Sequence, residues 1–168
     1  MASRAHRPLI SGVIGSVIAL VGIPLAFADD SPAPQPGDTP SVAVEDFSYP
    51  DAANILATKG IKLKKGDGRI LLADCDPSAD QIRVMTVKEE SAGREGMYCF
   101  RATAKTGFLT LELPRVFALE AADHPISAEV TANGQTTTVD VAKGGFESVG
   151  EGVPGGARSV LVEIRVTG

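Results

Sequence analysis

Over most of the chain after residue 60, apolar and polar positions change places with a period of two, the mark of strands with one buried face. Ile61-Lys62-Leu63-Lys64 alternates and runs into the turn residues Gly66-Asp67-Gly68. Ile70 to Cys75 reads as a second strand, ended by Asp76-Pro77, and Ile82 to Lys88 as a third, followed by a polar loop from Glu89 to Gly96. Met97 to Lys105, Phe108 to Leu113 (closed by Pro114) and Val116 to Glu120 predict three more. At the C-terminus Val160, Val162, Ile164 and Val166 alternate with Leu161, Glu163 and Arg165, which predicts a half-buried last strand.

The strongest local signal lies between residues 126 and 142. Asn133-Gly134 is the preferred pair for a two-residue type I′ hairpin. That turn sets a register: Ala132 opposes Gln135, Val130 faces Thr137, Ala128 faces Val139 and Ile126 faces Val141. The other face pairs Glu129 with Thr138 and Ser127 with Asp140. Apolar residues fall almost entirely on one side, so turn chemistry and alternation agree. The one helical signal is short. Pro50-Asp51 opens it, with Asp51 as the expected N-cap, and Gly60 closes it after Ala52 to Lys59. About eight short strands and one helix in a domain of this length predict a mainly β fold, a sandwich of immunoglobulin-like or related Greek-key type, over residues 47–168.

The first 46 residues do not share this pattern. Arg4 and Arg7 precede an apolar run from Ile10 to Phe27, and Ala26-Phe27-Ala28 has the small-x-small form of a cleavage site. Residues 1–28 therefore read as a secretory signal peptide, with an uncleaved anchor as the alternative, because 18 apolar residues nearly span a bilayer. Residues 29–46, DDSPAPQPGDTPSVAVED, carry four prolines and few large apolar side chains, and read as a disordered spacer. A secreted, extracellular protein is the expectation.

Cleavage after Ala28 leaves 14 basic side chains against 21 acidic ones, a formal charge of −7. That sign speaks against nucleic acid, whose phosphates need a basic footprint, and against adsorption to anionic membranes. No tryptophan and only two tyrosines leave little to stack a sugar on.

Two cysteines in an exported chain are expected to pair. A Cys75–Cys99 bond would close a loop of 25 residues, worth about 3–4 kcal/mol in the chain-entropy account. Tyr98, Phe100, Ala102 and Ala104 make one apolar face of their strand, and Cys99 lies on the other with Arg101 and Thr103. The bond is thus expected on the outer or rim side of a sheet, with a structural role. No C-x-x-C pair suggests redox catalysis.

Other chemistry is thinner. Asp74, Asp76 and Asp80 are a weak calcium candidate, since Pro77 breaks the spacing of a calcium loop and no glycine makes its sharp turn; turn formation explains them as well. Gly150-Glu151-Gly152-Val153-Pro154-Gly155 spells a nucleotide-binding motif, but a strand rather than a helix follows it. His124 beside Asp123 is the one histidine after residue 28, and adjacent side chains on an extended chain point apart, so no catalytic pair is expected. No catalytic residue, metal site or cofactor is assigned. Lys59, Lys62, Lys64, Lys65 and Arg69 form the one basic cluster, either a patch for an anionic cell-wall polymer or the charged edge of a sheet.

The export signal, the Pro-rich acidic spacer, the Ala/Gly/Val-rich composition and the single cysteine pair together resemble small exported proteins of actinobacteria with an immunoglobulin-like β-sandwich. GGARSVLVEIRVTG looks like the last strand of such a module. The resemblance implies a compartment and a fold, and carries over no site. The expected function is a non-enzymatic binding or interaction protein of the cell envelope or medium, whose partner is a cell-wall polymer or another extracellular protein. Two alternatives remain: an inhibitor or effector acting through loops 89–96 or 144–156, and a small secreted hydrolase.

Overall fold

The computed structural model describes residues 46–168, so the expected signal peptide and nearly all of the spacer lie outside the described residues. The elements are α1 (Ala52–Lys59), β1 (Lys62–Gly66), β2 (Ile70–Ala73), β3 (Ile82–Thr86), β4 (Met97–Ala102), β5 (Thr106–Pro114), β6 (Val116–Ala121), β7 (Ile126–Ala132), β8 (Gln135–Val141), β9 (Gly145–Ser148) and β10 (Ser159–Thr167), with short 3-10 turns at Glu90–Ala92 and Gly150–Gly152. The strands form two antiparallel five-stranded sheets, in the orders β1-β5-β10-β7-β8 and β2-β4-β3-β6-β9. Leu109, Leu111, Ile126, Leu161 and Ile164 of the first sheet bury against Ile70, Val84, Phe100 and Leu119 of the second in one core. The expected mainly β sandwich is present. Its pairings do not establish the immunoglobulin-like Greek-key wiring anticipated from size.

The Asn133-Gly134 hairpin has the register that turn chemistry implies, from Ala132 opposite Gln135 to Ile126 opposite Val141. Asn133 and Gly134 both take positive φ, 51° and 77°, as a type I′ turn requires.

Four features differ from expectation. In β10 the buried apolar side chains are Leu161, Ile164 and Val166, not a continuous Val160-to-Val166 row. A bulge between Leu161 and Glu163, against both β5 and β7, shifts the alternation by one residue. Strand β9 lies inside what reads as a loop, because an edge strand with Phe146 55% exposed buries no alternating row. Asp51 is the N-cap residue by position, yet it sits in the left-handed region (φ 55°) and makes no side-chain cap bond. Its carboxylate accepts instead from the Asn54 side-chain amide, 3.0 Å away.

The fourth concerns Cys99, which is on the face opposite Tyr98 and Phe100 as expected, but is completely buried. The topology explains why. β2 and β3 flank β4 and both run antiparallel to it, so the chain between them must pass over β4. Residues 74–81 make that crossing on the outer face and roof Cys99. β2 ends level with Cys99 and β3 begins level with Phe100, so the crossing is lateral. Two strand spacings, about 10 Å, are easily bridged by eight residues.

The outer edge of β1 is also covered. Tyr49 N donates to Lys64 O (2.9 Å) and Gly66 N to Phe47 O (2.9 Å), with an isolated bridge between Ser48 and Lys65. The hydroxyl of Tyr49 then accepts from Leu72 N (2.8 Å) on the edge of the other sheet. Helix α1 follows, packed through Ile55.

Candidate functional site

The Cys75–Cys99 disulfide forms, with Cα atoms 5.1 Å apart. It pins the crossover to β4, the strand it passes over, and polar side chains hold the same segment. Gln81 accepts from Asp76 N (3.0 Å) and donates to Asp74 O (2.9 Å). Arg83, opposite Cys99 in register, donates to Asp76 O (3.1 Å), Ala79 O (2.9 Å) and the Glu120 carboxylate (2.7 Å).

The three aspartates of this segment are not brought together as ligands. One oxygen of Asp76 accepts from both the backbone and the hydroxyl of Ser78 (2.8 and 2.7 Å), and these bonds hold its carboxyl below the ordinary aspartate range. Asp74 reaches outward to Lys59 Nζ at 3.4 Å. Among the described residues, no group of three or more His, Cys, Asp or Glu is placed to hold a metal ion.

The basic cluster is threaded with its own counterions. Lys62 and Lys64 share the Glu112 carboxylate (3.2 and 3.1 Å), which their hydrogen bonds hold below the ordinary glutamate range. Lys59 pairs with Asp74, and Arg69 lies 3.9 Å from Asp67 and donates to the Thr106 hydroxyl (3.2 Å). Lys65 is exposed on the same edge. The five cations at the β1 edge thus face three carboxylates, which compensate part of their charge.

Asp123 and His124 do approach, at 3.5 Å, contrary to the sequence expectation, because residues 122–124 bend instead of extending. The other ring nitrogen of His124 contacts Gly168 O at 3.0 Å, and Asp123 pairs with Lys143 at 2.7 Å, so partners engage both members. Of the glycines that spell a nucleotide motif, Gly150 and Gly152 serve close packing and Gly155 takes a left-handed φ of 74°. A Cβ on Gly152 would stand 2.1 Å from Phe117 O, and one on the adjoining Gly156 1.8 Å from Gly150 O.

The two loops singled out in the sequence meet at one end of the sandwich. β5 of the first sheet passes to β6 of the second through a single residue, Arg115, which takes the left-handed region at φ 61°. Its backbone bonds to residues that flank the two loops: Val87 N donates to Arg115 O (3.0 Å), and Arg115 N to Ser159 O (2.7 Å). Its guanidinium grips Glu151 in two bonds of 2.6 Å each. That bidentate pair holds the Glu151 carboxyl below its ordinary range, and Arg158 and Arg94 add to the effect. Across from it Arg94, 5% exposed, donates to Val87 O (3.0 Å) and pairs with Glu89. Tyr98 closes the base of this loop, donating to Lys59 O and accepting from Glu95 N (3.0 Å), and burial pushes its phenol above the ordinary range. Sequence reasoning missed Arg94 and Arg115, because a buried arginine and a one-residue hop between sheets leave no periodic trace. The visible hint was the single-residue gap after Pro114 between two apolar runs.

Between helix and sheet lies a cleft of about 210 Å³, lined by Lys59, Asp74, Glu95, Met97 and both cysteines among others. No helix among the described residues is long and apolar enough to cross a membrane. Compared with known proteins, the chain matches no family model and no curated protein sequence.

Proposed function

We propose that the protein is an exported β-sandwich that acts by binding another extracellular protein, with the loop end around Arg115 as its contact surface. The observation that carries this reading is the convergence of loops 89–96 and 149–158 on Arg115, with Arg94–Glu89 bracing the first loop from within and Arg115–Glu151 holding the second. Rigid sandwiches place recognition on end loops, and loops ordered before binding lose less entropy when they bind. The exposed tip residue Val153 gives that surface an apolar contact. A protein partner is favoured over an anionic polymer because Lys59, Lys62 and Lys64 of the β1 edge already face Asp74 and Glu112.

The test is capture from culture supernatant and cell-wall fractions with the 29–168 chain, in wild-type form and with Val153→Asp or, as a control on the exposed β8 strand, Thr138→Asp. One partner retained by wild type and the control but lost with Val153→Asp is expected. Equal capture by all three, or capture of wall polymer alone, would sink the proposal.

A further inference from the structure

We infer that the Cys75–Cys99 disulfide is an exchange site in the folded protein, at which a small uncharged thiol attacks Cys75 from the cleft beside it. The two cysteines differ sharply in access. Cys75 belongs to an exposed run, Asp74 to Ser78, whereas Cys99 is fully buried beneath that run. Exchange requires a thiolate to reach one sulfur, and access decides which.

The cleft supplies a route. Its roughly 210 Å³ is below the range of drug-sized pockets and suits a molecule of a few heavy atoms. Its charged lining is one ammonium, Lys59, and two carboxylates, Asp74 and Glu95. Lys59 is already paired with Asp74, so Glu95 is left to repel an anionic thiol.

The site also survives its own opening. Six bonds independent of sulfur frame the crossover: two from Gln81, two from Arg83 to backbone carbonyls and two within Asp76–Ser78. The segment therefore stays seated when the disulfide is broken.

In the first step the attacking thiolate bonds to Cys75 Sγ, the S–S bond breaks, and its electron pair leaves on Cys99 as a thiolate that takes a proton from solvent. Arg83, opposite Cys99 on the same face, is a cation suited to the leaving thiolate. A second thiolate displaces the first from Cys75. Two small thiols are oxidised to one disulfide, and the protein disulfide is reduced to two thiols.

The test treats the folded, oxidised protein with excess 2-mercaptoethanol, quenches with acid, alkylates free thiols and digests with trypsin. Cys75 falls in ILLADCDPSADQIR and Cys99 in EGMYCFR. The adduct is expected on Cys75 at least about tenfold over Cys99. The rate should be first order in thiolate and nearly unchanged by urea below the unfolding transition, and the reduced protein should keep its circular dichroism. An adduct chiefly on Cys99, or shared equally, overturns the inference. So does a rate that climbs steeply with urea, because the bond would then open only through unfolding. At equal thiolate concentration and low salt, 2-mercaptoethanesulfonate should react several-fold more slowly, with the gap closing as salt is added. Equal rates would remove the cleft as the route.

Discussion

The β7–β8 hairpin and the β2-to-β3 crossover solve the same problem, joining two strands of one sheet, by opposite means. The hairpin links neighbours through two residues, and its register follows from Asn133-Gly134 and a period-two pattern. The crossover skips a strand, lies on the outer face, and is held by bonds from Gln81 and Arg83 and by a disulfide to Cys99 on the skipped strand. The skipped strand β4 lies between two others and buries three of its six residues, whereas β8 is an edge strand with five of seven residues exposed. Local connections are written in adjacent residues; a non-local one depends on where the rest of the chain places its partners.

This contrast can be attacked at several strengths. Phe100→Ala, beneath the crossover, should cost about 3–5 kcal/mol in denaturant unfolding, against about 1 kcal/mol for Val139→Ala in the half-buried hairpin strand. Equal losses would mean the two regions are not distinguished by burial. Replacing both cysteines with serine should lower stability by about 3 kcal/mol while the hairpin's cross-strand nuclear Overhauser contacts persist. Tyr98→Phe leaves Lys59 O and Glu95 N without their partner and should cost about 1–2 kcal/mol. It should also remove a loss of stability on the alkaline side, where a phenol with a raised pKa favours the folded state until pH climbs through that value. Gly134→Ala meets no atom within 4 Å, so its cost is conformational, about 1 kcal/mol from φ 77°. The smallest effect is acid titration of Asp76. A lowered carboxyl stabilises the fold above the ordinary aspartate range and loses that contribution as pH falls through its own depressed value. Carboxyl-carbon NMR should show Asp76 titrating below the ordinary aspartate range.

What the sequence made legible follows the same division. Strand alternation and the Asn-Gly turn are properties of short windows, and two cysteines leave a single possible pairing within the chain. The phase slip in β10 escaped because a bulge adds a residue without altering composition. Strand β9 escaped because Phe146, Glu147 and Ser148 bury no row. The roof over Cys99 escaped because alternation reports only the side of the sheet, and an outer position can be covered by chain from elsewhere. At the loop end, the two loops were visible as polar stretches, but their meeting at Arg115 depends on both sheets being assembled.

The segment Asp46–Tyr49 has a mechanical consequence. It lies along the outer edge of β1 with two backbone bonds and passes one hydroxyl to β2. A force applied outward at Asp46 loads these contacts one after another: Gly66 N to Phe47 O, then Tyr49 N to Lys64 O, then the Tyr49 hydroxyl. Each can part while both sheets remain whole, so the strap behaves as a fuse. It yields a few residues of slack under tension and can reseal when the tension ends, before any strand of the sandwich bears the load.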